Sequence, residues 1–151
     1  MELWYTDEHT PDVRFSMKAV EQVVSKKSAV QQIDILDTPA YGRVLVLDGD
    51  LFITEKDEFI YHEMLAHVPM AVHPNVKNVL VIGGGDGGTV RELTKYRTIE
   101  SIDLVEVDKD VVILSKKYEA SCITVGLFDT DSGVKRCEHG ARSAECLRRA
   151  A

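Results

Sequence analysis

The stretch that most constrains the fold is VLVIGGGDGGTVREL at residues 79–93. An apolar run ends in a burst of glycine, and helix-forming residues follow. Gly83, Gly85 and Gly88 satisfy G-x-G-x-x-G after a strand and before a helix, the context that gives the pattern meaning. Such glycines permit a tight turn and let backbone approach a ligand closely. The following strand, SIDLVEVD, closes with Glu106, where a carboxylate can accept both hydroxyls of a ribose. Residues 79–106 therefore predict a nucleoside site on a parallel α/β sheet.

Asp86, planted inside the glycines, narrows the nucleoside. A pyrophosphate seated on the helix N-terminus wants neutral or positive company. At 4 Å and an effective dielectric near 20, a carboxylate there repels it by about 4 kcal/mol before screening. A sulfonium carrying an ammonium tail is attracted instead. Asp86 thus favours an S-adenosyl-type ligand and makes an NAD-dependent dehydrogenase the least favoured class.

The surroundings fit such a sheet. NVLVIGG, GGTVRELTKY, SIDLVEVD and KDVVILSKKY alternate strand, helix, strand, helix, with Val90, Leu93 and Thr94 expected on one helix face. Continuous apolar strands in this order predict a parallel sheet covered on both faces. Upstream, VQQIDIL alternates at Ile33 and Ile35, and RVLVLDGDLFIT places Asp48-Gly49 as a two-residue hairpin turn. Thr54 and Asp57 form an approximate capping box for a helix, DEFIYHEMLAHVPMAV, reaching about Pro69 or a little past it. The fold class expected is α/β: an N-terminal antiparallel β-domain over residues 1–57, then the first half of a Rossmann-like, methyltransferase-type parallel sheet over 58–118. After Tyr118 the pattern fails. Residues 119–151 hold one possible strand, Cys122 to Val125, and a basic tail with five Lys/Arg against two Glu from Lys135 onward. A two-stranded half-sheet leaves edges and faces uncovered, which predicts that the rest of the sheet is missing from this chain.

Charge and composition exclude some functions. A net charge of -7 argues against a nucleic-acid partner and suits a small cation. No apolar stretch is long enough to cross a bilayer, and the first residues are polar and acidic, so the cytoplasm is the expected location. Cys122, Cys137 and Cys146 have neither zinc-site nor redox-pair spacing. Residues 48–63 carry six acids against one Lys, and amid them Tyr61 and His62 can position an amine. HEMLAH imitates a zinc-protease helix, but His62 and His67 are five residues apart. At about 100° per residue they point about 140° apart, so no metal site is expected.

Taken in order, these motifs resemble the spermidine synthase family, the polyamine aminopropyltransferases. The similarity covers roughly residues 1–118: ELWYTDEHT, SAVQ before a hairpin, YGRVLVLDGDLFITEKDEFIYHEMLAHVP, VLVIGGGDGGTVREL and VEVDKDVV. It implies a β-domain followed by a Rossmann-like domain, and a co-substrate, decarboxylated S-adenosylmethionine, whose aminopropyl group passes to putrescine. No prosthetic group is implied. Carried over by position, Gln31 in SAVQ matches the donor-binding glutamine, although Val30 stands where an aromatic is usual. Asp86 matches the acid on the donor's amine and Glu106 the acid on its ribose. The backbone of Gly83, Gly84 and Gly85 would pack along the nucleoside. Tyr61 and His62 match residues lining the acceptor and aminopropyl pocket.

Decarboxylation leaves the donor a dication, which acids can meet. The resemblance implies in-line attack by a neutral amine, with methylthioadenosine leaving and spermidine formed. In the family the base is an aspartate of a later D-x-T-[DE]-P-like motif. FDTDSG (Asp129, Asp131) lacks the preceding strand and the proline, so no catalytic residue is assigned. The break after Tyr118 reads as a truncated or frame-shifted product, and intact members are homodimers or homotetramers. Two alternatives stay open: an S-adenosylmethionine-dependent methyltransferase, and a non-catalytic fragment that only binds donor or oligomerises.

Overall fold

The computed structural model describes residues 2–118 and the backbone of residues 134–138. The chain divides into two compact units, Met1–Glu58 and Phe59–Ala151.

The first unit is all β. Strands β1 (Leu3–Thr10) and β2 (Val13–Ala19) form an antiparallel hairpin. Strands β3 (Glu21–Lys27), β4 (Gln32–Thr38), β5 (Gly42–Leu47) and β6 (Asp50–Thr54) form an antiparallel meander in that order. Alternation at period two explains its two faces. Met17 and Ala19 of the hairpin meet Leu36, Val44 and Val46 of the sheet in one core, joined by Tyr5, Tyr41 and Leu51. Ile33 and Ile35, on the other face of β4, are wholly buried. Asp48 and Gly49 both adopt left-handed backbone (φ 52° and 98°), which closes the β5–β6 hairpin in the manner their sequence predicts. Asp48 also accepts a hydrogen bond from the Gln32 N–H at 2.8 Å. Across β4 and β5, Arg43 grips Asp37 with two hydrogen bonds of 2.7 and 2.9 Å, and that guanidinium holds the Asp37 carboxyl below its ordinary pKa.

The second unit contains α1 (Glu58–Val72), β7 (Asn78–Ile82), α2 (Gly88–Leu93), β8 (Ser101–Val105), α3 (Lys109–Tyr118) and β9 (Val134–Glu138). Strand β7 pairs parallel with β8, as strand–helix–strand order requires. Val79 and Val81 turn toward a core of Ala66, Val90, Leu93, Ile99, Ile102 and Leu104. Several details bear on the sequence reading. As expected of a half-sheet, one face of β7 is left open among the described residues: Leu80 and Ile82 are 61% and 81% exposed. Thr94 is the C-cap of α2, and its hydroxyl donates to the Arg91 carbonyl at 2.7 Å. Thr54 is not the cap of α1, which begins at Glu58; its hydroxyl donates instead to the Asp57 carboxylate at 2.6 Å. Helix α1 runs a little past Pro69, to Val72, as the sequence leads one to expect. The strand expected at Cys122–Val125 falls outside the described residues, and β9, which sequence reading missed, pairs antiparallel with β8.

No helix among the described residues is long and apolar enough to cross a membrane.

Candidate functional site

The glycine loop follows β7 directly. The Gly83 N–H donates to the Val105 carbonyl at 2.8 Å, extending the β7–β8 ladder by one bond. Gly83 and Gly84 then turn with φ of 80° each, a backbone that a side chain would strain. Gly87, at φ 84°, is the N-cap of α2, and its carbonyl accepts the first helical bond, from the Arg91 N–H at 2.9 Å.

The other two glycines are required by neighbours inside the protein. A Cβ on Gly85 would stand 2.8 Å from Glu106 Cγ, and one on Gly88 would stand 2.6 Å from His62 Cγ and nearer still to Cε1 and Nδ1. The spacing legible in the sequence thus records two side chains folded under the loop as well as any ligand above it. Glu106, half-buried at the end of β8, accepts the Gly85 N–H on Oε2 and the Asp108 N–H on Oε1, both at 2.9 Å. Its carboxylate is locked in orientation by backbone. Each oxygen keeps a further lone pair for a diol.

Asp86 is only 1% exposed. Its Oδ1 accepts the Gly88 N–H at 2.8 Å and lies 2.9 Å from Nε2 of His62, itself wholly buried. Burial pushes the Asp86 pKa up, but the imidazole and the loop N–H outweigh burial and hold the carboxyl below its ordinary value. The structure therefore joins the residue matched to the donor's amine with one matched to the acceptor and aminopropyl pocket. His62 stands behind Asp86, whereas Tyr61, its neighbour on α1, is 51% exposed.

Gln31 belongs to the other unit. SAVQ is a tight turn in which Ser28 Oγ receives the N–H of Val30 and of Gln31, at 3.0 and 2.9 Å. The Gln31 carbonyl accepts the Ser28 N–H at 2.9 Å, so its backbone is fixed while its side chain stays half-buried.

Two features escaped the sequence reading. Asp108, 2% exposed, initiates α3: its Oδ1 accepts the Asp110 N–H at 3.0 Å and its carbonyl accepts the Val111 N–H at 3.1 Å. An Asp immediately before a helical pattern was the available signal. The second is a polar cluster on α1 and α2. Glu92 is 1% exposed, contacts Arg91 Nε (3.0 Å), Lys95 Nζ and His67 Nε2 (3.2 Å), and His67 Nδ1 lies 2.8 Å from the Tyr96 hydroxyl. Burial raises the Glu92 pKa, and the Lys95 and Arg91 cations lower it further than burial raises it. Glu63, His67 and Glu92 place ligand atoms within 4.8 Å of one another, but the Glu92 charge is already met by two cations. His62 and His67 thus serve separate carboxylates.

Residues 58–133 match the family model described as spermine/spermidine synthase domain, and residues 3–55 match spermidine synthase tetramerisation domain. A polyamine aminopropyltransferase from Lachnoclostridium phytofermentans is 71% identical over 118 residues, 78% of this chain and 42% of the relative. The crystal structure of spermidine synthase from Thermotoga maritima superimposes with a TM-score of 0.77 at 50% identity, covering 80% of this chain and 42% of that one. A spermidine synthase in complex with the transition state analogue AdoDATO gives 0.78 at 50% identity, covering 80% and 41%. The chain therefore spans less than half the length of the relatives it matches.

Proposed function

The chain belongs to the spermine/spermidine synthase family, and from that premise we propose that it forms the donor-binding part of an aminopropyltransferase that uses decarboxylated S-adenosylmethionine. The observation carrying this reading is Asp86, a buried carboxylate held in its charged form at the glycine loop. A donor ammonium about 4 Å from it would gain about 4 kcal/mol at an effective dielectric near 20. Ordinary S-adenosylmethionine brings its own carboxylate to the same place and loses much of that gain.

In this reading Glu106 takes the ribose hydroxyls, the Gly83–Gly85 backbone lies along the nucleoside, and Gln31 is a further donor contact. Tyr61 faces the acceptor. His62 acts through Asp86, orienting its carboxylate and packing against Gly88. The acceptor is putrescine: its neutral amine attacks the carbon next to sulfur in line, and the C–N bond forms as the C–S bond breaks. The electron pair leaves with methylthioadenosine, and spermidine is formed. The attacking amine has a pKa near 10, so a base must remove its proton before or during attack. The described residues supply donor contacts, and none of them is assigned as that base. Residues 3–55 assemble copies of the chain, in line with the tetramerisation domain they match.

Calorimetric titration tests this reading. The chain should bind decarboxylated S-adenosylmethionine at least about tenfold more tightly than S-adenosylmethionine, and Asp86→Asn should erase the difference. Equal affinities in the parent chain, or a preference that survives the Asp86→Asn substitution, refute it.

A further inference from the structure

Donor binding gives no role to the polar cluster around Glu92. That buried carboxylate divides its contacts between two oxygens. Arg91 Nε donates to Oε1 at 3.0 Å, whereas Lys95 Nζ and His67 Nε2 both meet Oε2, the imidazole at 3.2 Å. Glu63 stands four residues before His67 on α1. Four residues turn a helix by about 400°, so these two side chains lie about 40° apart on one face, which His62 and His67 do not share. Ligand atoms of Glu63, His67 and Glu92 all fall within 4.8 Å of one another.

We propose that Glu63, His67 and Glu92 form a site for one divalent transition-metal ion, zinc foremost, which bridges α1 to α2. Three features choose this chemistry. An imidazole with two carboxylates suits zinc and its neighbours, whereas magnesium and calcium take oxygen ligands. Two ligands at about 2.0–2.1 Å from a tetrahedral ion stand about 3.3 Å apart. His67 Nε2 and Glu92 Oε2 already have that spacing, at 3.2 Å. A metal-bound histidine is oriented through its other ring nitrogen, and His67 Nδ1 lies 2.8 Å from the Tyr96 hydroxyl. The Glu63 side chain is accessible to solvent, and rotation about its own bonds closes the remaining distance. The ion must displace one cation from Glu92, and Lys95 is the one placed to leave. Its side chain is 55% exposed against 18% for Arg91, and an ammonium on a flexible stem returns readily to water. Arg91 stays on Oε1 and leaves Oε2 to the metal. The site depends on how α1 packs against α2 and not on donor binding, so either proposal can fail without the other.

The test titrates the full 151-residue chain with zinc chloride in a calorimeter, its cysteines first blocked with iodoacetamide so that thiolates take no metal. One ion should bind per chain, and magnesium chloride at the same concentrations should give no binding. His67→Asn and Glu63→Gln should each weaken zinc by about tenfold or more, and Tyr96→Phe by about tenfold. Lys95→Met removes the competing cation and should tighten zinc by about two- to fivefold. His73→Asn, which alters an exposed histidine at the far end of α1, should leave affinity unchanged. Circular dichroism of each variant without metal should match the parent. Zinc at about a hundredfold its Kd should raise the urea midpoint of the parent and leave that of His67→Asn where it was. Absence of saturable binding, affinity that survives both His67→Asn and Glu63→Gln, or weaker binding in Lys95→Met overturns the proposal.

Discussion

Replacing Gly88 by alanine sets two opposed effects against each other. Gly88 opens α2 with no positive φ, so helix propensity alone favours alanine by about 1 kcal/mol. Against this, the new Cβ would lie 2.6 Å from His62 Cγ and nearer to Cε1 and Nδ1. The imidazole cannot retreat easily, being wholly buried and 2.9 Å from Asp86 Oδ1. Overpacking a filled interior costs about 1–3 kcal/mol, and the rigid ring places this case at the upper end. A net loss of about 1–2 kcal/mol is expected, read as a lower urea midpoint with unchanged slope. In a His62→Ala background the obstruction is gone, so Gly88→Ala should become stabilising by roughly the propensity gain of about 1 kcal/mol. The double-mutant cycle then carries a coupling of about 2–3 kcal/mol. If Gly88→Ala stabilises the parent, or costs the same in both backgrounds, the ring is not what requires this glycine.

Three further outcomes follow from the same structure. Asp86 and Glu92 both have carboxyl pKa values below their unfolded ones, so the stability they contribute is present above about pH 4 and is lost as pH falls through the folded values; urea midpoints should be flat from about pH 7 to 5 and drop below about pH 4, and a rise on acidification contradicts the assignment. Tyr5→Phe deletes the hydroxyl that donates to the Gly49 carbonyl at 2.7 Å and ties β1 to the β5–β6 turn, at a cost of about 1 kcal/mol in urea unfolding. Glu92→Ala leaves Arg91 and Lys95 facing each other without their anion; because the Lys95 side chain is about half exposed, the expected loss is about 2 kcal/mol and not the larger value of a fully buried pair.

Local patterns carried much of the architecture. The alternation at Ile33 and Ile35, the Asp48-Gly49 turn and the strand–glycine–helix sequence each depend on near neighbours, and each appears where the sequence puts it. Family resemblance was legible for the same reason, since it rests on the order of such motifs. The extent of cover was legible only in part. A two-stranded half-sheet had to leave some surface open, but which face stays open depends on what packs there, and β7 shows Leu80 and Ile82 to solvent. Strand β9 was hidden in a tail whose composition gives no periodic signal, because its pairing comes from the free edge of β8.

That a glycine loop between a strand and a helix would carry an acid at 86, and that another acid would end the next strand at 106, was written in the order of residues alone. What those acids do inside the protein was settled by packing in three dimensions. His62 and Asp86 lie on different elements, and their meeting depends on how α1 passes beneath the loop. That packing explains why residue 88 is glycine, and Glu106 explains residue 85 in the same way. Spacing along a chain fixes backbone conformation through bonds, whereas the charge state of a buried carboxylate is set through space by whatever folding brings beside it.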